Sequence, residues 1–147
     1  MSITYKLELG APVAPSAVLG AMVDAGQGIL DKFDGNKGTL RGGGWFDIDV
    51  ADYDPPDPVE TEFGFAPTIE VYFGLNKAGD FEAQETDVLK LALGVLARIP
   101  GDALLHLEHD DVWLLRRGGR LTVNDSLWKP NQLALLTQSY ERSVLSF

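Results

Sequence analysis

The sequence predicts an α+β protein, with an antiparallel sheet of about five to seven strands and two main helices packed on one face of that sheet. Two observations support this prediction. Short segments in which apolar and polar residues alternate recur along the chain, and such alternation is typical of half-buried strands. Two longer segments, beginning near residues 15 and 81, instead repeat apolar residues at helical spacing.

The helix predicted at residues 81–99 has the clearest pattern. Its apolar residues form two adjacent stripes, which is typical of a helix that lies deeply against a sheet. The stripes are Val88, Leu91, Val95 and Ile99, and beside them Leu89, Leu93 and Leu96. The first helix is predicted to begin near Pro15, where the missing N–H costs nothing, and to end at the glycines of residues 26–28.

Six segments carry the strand pattern, and tight turns separate several of them. They are residues 1–9, 45–50, 68–75, 103–108, 112–117 and 120–123. In the second of these, Phe46, Ile48 and Val50 are predicted to face the core while the aspartates face solvent. Residues 35–38 predict a turn, and the glycines of residues 42–44 a sharp bend.

The remaining segments give weaker patterns. Residues 54–58 are predicted to be irregular, because their prolines supply no donors to a sheet. In the tail, the apolar run at residues 133–136 favours a short helix followed by a closing strand. Phe46 and Phe65 are expected to be buried.

The length of 147 residues is that of a single domain, residues 1–147, with a core large enough to fold without disulfides or metal. The chain has no cysteine, which excludes disulfide frameworks, thiolate zinc sites and cysteine nucleophiles. The alternating start differs from a signal peptide, and no apolar run is long enough for a membrane span. We therefore expect a cytoplasmic protein.

The net charge of −10 is concentrated in the middle of the chain. Residues 42–76 contain eight acidic residues and no lysine or arginine. Residues 1–41 are balanced at four acids against four bases, and residues 77–147 sum to −2. A negative field of this kind repels nucleic acid and anionic membranes, and it attracts basic partners.

The acids and neighbouring aromatic residues of this stretch form the candidate partner-binding surface. They are Asp47, Asp49, Asp52, Tyr53, Asp54, Asp57, Glu60, Glu62 and Phe63. The alternative interpretation is a solvated strand edge and loop that keeps the protein soluble. A calcium site is not predicted, because the helix–loop–helix pattern requires Gly and Glu where this sequence has Asp52 and Pro58.

His106 and Glu108 are the candidate residues for an enzyme, as an acid/base pair on one face of a strand. The favoured interpretation is instead an exposed His–Glu pair beside a turn. Two histidines in the whole chain exclude a three-histidine metal site, so neither a metal nor a cofactor is predicted. Arg116, Arg117 and Arg120 flank a Gly-Gly turn and are expected to face solvent.

Several segments together resemble the Sit-type immunity protein family of myxobacteria and actinobacteria, named after swarm-inhibition toxin–immunity pairs. They are ITYKL at residues 3–7, GFAPT at 64–68, PGDALLH at 100–106, VWLLRRGGRLT at 112–122 and LSF at 145–147. The resemblance implies a non-enzymatic protein that binds and neutralises a cognate toxin. It implies no particular binding residues.

A third interpretation is a small homodimeric interaction module. It requires an apolar face left uncovered at a sheet edge, whereas the toxin-binding interpretation requires an accessible acidic surface. The oligomeric state expected from the sequence is a monomer or a weak homodimer.

Overall fold

The computed structural model describes residues 3–52, 57–107 and 110–147. Within these residues the chain forms nine strands and four helices. The strands are β1 (Ile3–Gly10), β2 (Leu30–Asp34), β3 (Lys37–Leu40), β4 (Trp45–Val50), β5 (Ile69–Leu75), β6 (Asp102–Leu107), β7 (Asp111–Arg117), β8 (Arg120–Asn124) and β9 (Tyr140–Ser143). The helices are α1 (Pro15–Ala25), α2 (Pro58–Phe63), α3 (Phe81–Arg98) and α4 (Pro130–Leu133).

All nine strands belong to one sheet, in the order β2-β3-β4-β5-β1-β6-β7-β8-β9. Neighbouring strands are antiparallel except β8 and β9, which run parallel. The α+β class is therefore confirmed, while the prediction of a purely antiparallel sheet of five to seven strands is wrong in detail. The additional strands are β2 and β3, which form a hairpin whose residues are mostly exposed and therefore lack the alternation that identifies a half-buried strand.

The main core lies between one face of the sheet and the helices α1 and α3. Alternate residues of the central strand β1 face it, and Tyr5, Leu7 and Leu9 are at most 1% exposed. The predicted stripe of α3 is buried along its whole length, as periodicity at 3.6 residues requires. Each large aliphatic side chain buried in this way contributes about 1.5–3 kcal/mol to folding.

The opposite face of the sheet carries a smaller apolar cluster near β6 and β7. Its buried members are Val59, Phe65, Leu104 and Val112, and the partly buried Phe63, Leu115, Leu145 and Phe147 pack against them. The helix α2 and the end of the chain therefore cover this part of the face. The burial of Phe46 and of Phe65 is confirmed, at 1% and 6% exposure.

Three predictions about local structure need correction. Val50 is 64% exposed, because it lies beyond Asp47, the last β4 residue that pairs with β3. Pro58, predicted to belong to an irregular segment, instead begins α2, since proline is well suited to a first helical turn. Residues 54–56 of that segment lie outside the described residues. The short helix of the tail is α4, which begins three residues before the predicted run at 133–136 and precedes the closing strand β9.

Arg116 is also buried rather than solvent-facing, at 6% exposure. Its guanidinium donates hydrogen bonds to three backbone carbonyls that follow or end α3: Leu96 O at 2.6 Å, Ile99 O at 2.5 Å and Gly101 O at 2.7 Å. Carbonyls at a helix C-terminus have no partners within the helix. The side chain therefore caps α3, which explains why a charged group is stable in this buried position.

Candidate functional site

The outward face of β4 places one aromatic residue and two acids side by side. Phe46 and Ile48 turn inward and are each 1% exposed, so the pleat of the strand turns the alternate residues Trp45, Asp47 and Asp49 outward. This arrangement follows directly from the predicted alternation of the strand. It brings part of the acidic stretch onto one side of the sheet.

The neighbouring strand β5 extends this surface. In the antiparallel register, Asp47 is opposite Tyr72 and Asp49 is opposite Glu70. An open groove on this side is lined by residues 49–52 together with Glu70 and Tyr72. We define the β4–β5 surface as the six residues Trp45, Asp47, Asp49, Asp52, Glu70 and Tyr72.

Negative charge is crowded at the centre of the β4–β5 surface. Partial burial, together with the nearby carboxylates of Asp47 and Glu70, raises the pKa of Asp49 above its ordinary value. Lys37 opposes this effect by lowering it. Like charges directly opposite each other on adjacent strands are destabilising, so a cationic partner at this position would relieve the repulsion.

Lys6 on β1 lies beside the buried end of this surface. Its Nζ is 3.0 Å from Glu70 Oε1 and 3.4 Å from Glu8 Oε1, and 5.3 Å from the centre of the Tyr72 ring. Burial lowers the pKa of Lys6, but the two carboxylates outweigh that effect and the pKa is raised. Lys6 is therefore a charged structural partner that orients Glu70.

Tyr72 is held by the same group of residues. Its hydroxyl donates a hydrogen bond of 2.8 Å to Glu70 Oε2. Burial and this hydrogen bond raise the pKa of Tyr72, while Lys6 lowers it. The phenol therefore stays protonated at neutral pH and presents a fixed aromatic ring to the groove.

Trp45 is the exposed aromatic residue of the β4–β5 surface, with 41% of its area accessible. Its indole lies against the backbone of Gly74, where an added Cβ would come within 2.1 Å of the indole Nε1. Only glycine permits this close approach. Trp113 and Trp128, in contrast, are 5% and 6% exposed and belong to the main core.

The other predicted partner-binding residues are placed differently. Asp57 is buried, and its Oδ1 accepts a hydrogen bond of 2.8 Å from Val59 N, so it caps α2. Phe63 packs edge-on against Phe147, with ring centres 5.2 Å apart. Glu60 and Glu62 are exposed on α2, while Tyr53 and Asp54 lie outside the described residues.

His106 does not form an exposed pair, which corrects the favoured interpretation of this residue. It is fully buried, and its Nε2 lies 2.8 Å from Glu8 Oε2 on the adjacent strand. The Phe147 ring packs edge-on against it at 5.2 Å. The proposed partner Glu108 lies outside the described residues.

The described residues also bear on metal sites and membrane spans. No group of three or more His, Cys, Asp or Glu side chains in residues 3–52, 57–107 and 110–147 is arranged to hold a metal ion. In the same part of the chain, none of the helices is long and apolar enough to cross a membrane.

Comparison with protein families gives one match. The family model described as SitI3-like matches residues 3–132, which is most of the chain. The chain belongs to the SitI3-like family. Comparison with curated proteins and with solved structures found no significant match.

Membership of the SitI3-like family agrees with the resemblance to Sit-type immunity proteins and indicates an immunity protein. The matched region contains the whole of the β4–β5 surface in this SitI3-like chain. It ends before β9, which begins at Tyr140.

Sequence reasoning missed three residues of the β4–β5 surface: Trp45, Glu70 and Tyr72. The signal for them was available, because alternation that turns Phe46 and Ile48 inward turns Trp45 outward with the aspartates. The same rule applied to the predicted strand at 68–75 turns Glu70 and Tyr72 outward. What the sequence lacks is the register that brings these two strands together.

Proposed function

We propose that this SitI3-like protein binds and neutralises a cognate protein toxin, and that the β4–β5 surface contacts a basic region of that toxin. The observation that carries the proposal is the gathering of Asp49, Asp52 and Glu70 around one groove of the sheet, with Asp47 on the same face of β4. Family membership supports the role, and the charge on this surface supports the kind of partner.

The electrostatics support a protein partner with a positive surface. The net charge of −10 repels nucleic acid and anionic membranes, and it speeds encounter with a basic protein. Lys37 offsets the repulsion between Asp49 and its neighbouring carboxylates only in part, so positive charge on a partner would reduce that repulsion further. Binding should therefore be fast and should weaken as salt is added.

The buried position of His106 favours binding over catalysis. A general acid or base must come within hydrogen-bonding distance of its substrate, and this imidazole is 0% exposed. The geometry of His106 with Glu8 fits a structural hydrogen bond between β1 and β6. We propose accordingly that the protein acts without metal or cofactor.

Cellular location and oligomeric state follow as part of the same proposal. A toxin that acts inside the cell has to be met there, so we propose a cytoplasmic protein. We further propose that it is a monomer or a weak homodimer before it meets the toxin. Light scattering at working concentration tests the oligomeric state, and a stable dimer would contradict this part of the proposal.

The decisive experiment uses the product of the neighbouring gene. Co-expression of the protein with a polymorphic toxin encoded beside it should give a complex that co-purifies at low salt, and should restore growth of cells that make the toxin. Absence of a complex at low salt, together with unrelieved toxicity, would overturn the proposal.

A further inference from the structure

We propose that Trp45 is the anchor of the toxin interface and that it receives an arginine side chain of the partner. The inference rests on the proposed function and makes it specific, because it names the chemical group that the β4–β5 surface recognises. Three features carry it: the exposure of the indole, the fixed position of that indole, and the carboxylates beside it.

The exposure of Trp45 sets it apart from the other tryptophans of the chain. The residue is 41% exposed, whereas Trp113 and Trp128 are nearly buried and pack against each other with ring centres 5.9 Å apart. Exposing a large aromatic surface to water is unfavourable. Tryptophan is also among the residues most enriched at the energetic centre of protein interfaces.

The position of Trp45 is prearranged by two glycines. Gly74 lets the indole lie against the β5 backbone, and Gly44 precedes it with φ at +91°, a conformation that other residues rarely adopt. An added Cβ at Gly44 would come within 2.3 Å of Gly74 O. An aromatic ring held in this way loses little side-chain entropy when a partner stacks on it.

The carboxylates beside the indole favour arginine over lysine. Asp47 is two residues along the same strand and on the same face, and the Tyr72–Glu70 pair lies across from Asp47 and Asp49. A guanidinium can stack on an indole and donate paired hydrogen bonds to a carboxylate at the same time. An ammonium is more strongly hydrated and lacks the planar fork of donors.

The edge hairpin offers a matched control. Phe33 is 50% exposed, slightly more than Trp45, but it pairs with Gly38, which in turn pairs with Phe46. It therefore belongs to the face that Phe46 turns toward the helices, away from the β4–β5 surface. Loss of Phe33 removes an exposed aromatic residue without touching the proposed site.

The test uses two peptides of equal length and charge, one rich in arginine and one rich in lysine, titrated at low salt into the whole protein. Wild type should bind the arginine peptide about tenfold more tightly than the lysine peptide. Trp45→Ala should lose most of this preference, because only the hydrogen bonds to the carboxylates remain, and should leave the lysine affinity nearly unchanged. Phe33→Ala should keep the preference, and circular dichroism should show that both variants are folded.

A wild-type protein with no preference for arginine, or a Trp45→Ala variant that retains it, would overturn the inference. Failure here is distinct from failure of the proposed function. If the neighbouring toxin is still bound while the peptides show no preference, the toxin-binding role is supported and the arginine site is contradicted. If the peptides behave as expected but no toxin is bound, the arginine site is supported and the toxin-binding role is contradicted.

Discussion

Asp49 lies at the point of the β4–β5 surface where negative charge is most crowded. Burial and the carboxylates of Asp47 and Glu70 raise the pKa of Asp49. Because the folded pKa is above the unfolded one, ionised Asp49 costs stability at neutral pH. That cost disappears as the pH falls through the folded pKa. Asp49 is therefore expected to lower stability slightly at neutral pH, and such a cost is compatible with a role in binding.

Asp49→Asn should therefore weaken toxin binding without weakening the fold. We expect its free energy of unfolding at pH 7 to equal that of wild type or to exceed it by about 0.5 kcal/mol, since solvent screens exposed charges. The difference should vanish in acid, where Asp49 is protonated. Urea denaturation at several pH values measures this, with Asp24→Asn on α1 as the control. A loss of more than about 1 kcal/mol at pH 7 would contradict the account.

Arg116 illustrates a charged residue whose role is structural. It satisfies three carbonyls at the end of α3, although it is only four residues from the exposed Arg120. In the sequence, Arg116 and Arg120 lie on either side of the same Gly-Gly turn. Their different burial depends on the end of α3, which lies more than ten residues earlier in the chain.

Arg116→Met should destabilise the protein by about 2–4 kcal/mol, because three buried carbonyls lose charged hydrogen-bond donors. Arg120→Met should change stability by less than about 1 kcal/mol, since the Arg120–Glu141 pair is exposed. Thermal and urea unfolding of the two variants measure the contrast. Equal effects would show that the capping interactions contribute little.

At the scale of elements, α2 separates the buried capping acid Asp57 from the exposed acids Glu60 and Glu62. This six-residue helix runs from Pro58 to Phe63 and is followed by its C-cap Gly64, which has φ at +80°. A helix so short has little intrinsic stability, so the hydrogen bond from Val59 N to Asp57 matters for its formation. Val59 then anchors it in the smaller apolar cluster.

Substitutions at Asp57 should distinguish a cap from a binding charge. Asn accepts the same backbone hydrogen bond, so Asp57→Asn should leave stability nearly unchanged, while Asp57→Ala should cost about 1 kcal/mol. Toxin affinity should differ little between the two folded variants. Chemical denaturation and a binding titration test this pair. A large loss of toxin affinity in Asp57→Asn alone would instead show that Asp57 belongs to the interface.

The elements with a buried face were predictable, and the exposed β2–β3 hairpin was not. Helix α3 and strand β5 each bury one side completely, so their periodicity identified them from the sequence. Strand β2 has four exposed residues among its five, and β9 is exposed throughout. Only the turn at residues 35–38 marked the β2–β3 hairpin, and nothing local indicated that β9 would pair parallel to β8.

At the scale of the whole molecule, long-range pairing decides which candidate residues come together. His106 and Glu8 are 98 residues apart in sequence yet share a hydrogen bond, because β1 lies between β5 and β6. The same pairing brings Lys6 to Glu70. The acidic stretch was visible in the sequence, but its division into a sheet surface, a helix cap and exposed α2 acids depends on this topology.

The most direct measurement is the affinity of the co-purified toxin for two variants that each lose three negative charges. Asp47→Asn/Asp49→Asn/Asp52→Asn alters the β4–β5 surface. The control neutralises three exposed acids on α1, β2 and α3, namely Asp24→Asn/Asp31→Asn/Glu82→Gln. Both variants have the same net charge, so a difference between them reports position rather than total charge.

We expect the first variant to bind the toxin at least about tenfold more weakly than wild type, with a smaller dependence on salt, and the control to stay within about threefold. Both should unfold cooperatively at a temperature close to that of wild type. Equal affinities of the two variants for the toxin would contradict the claim that the β4–β5 surface binds it. The β4–β5 surface would then be a solvated face that only aids solubility.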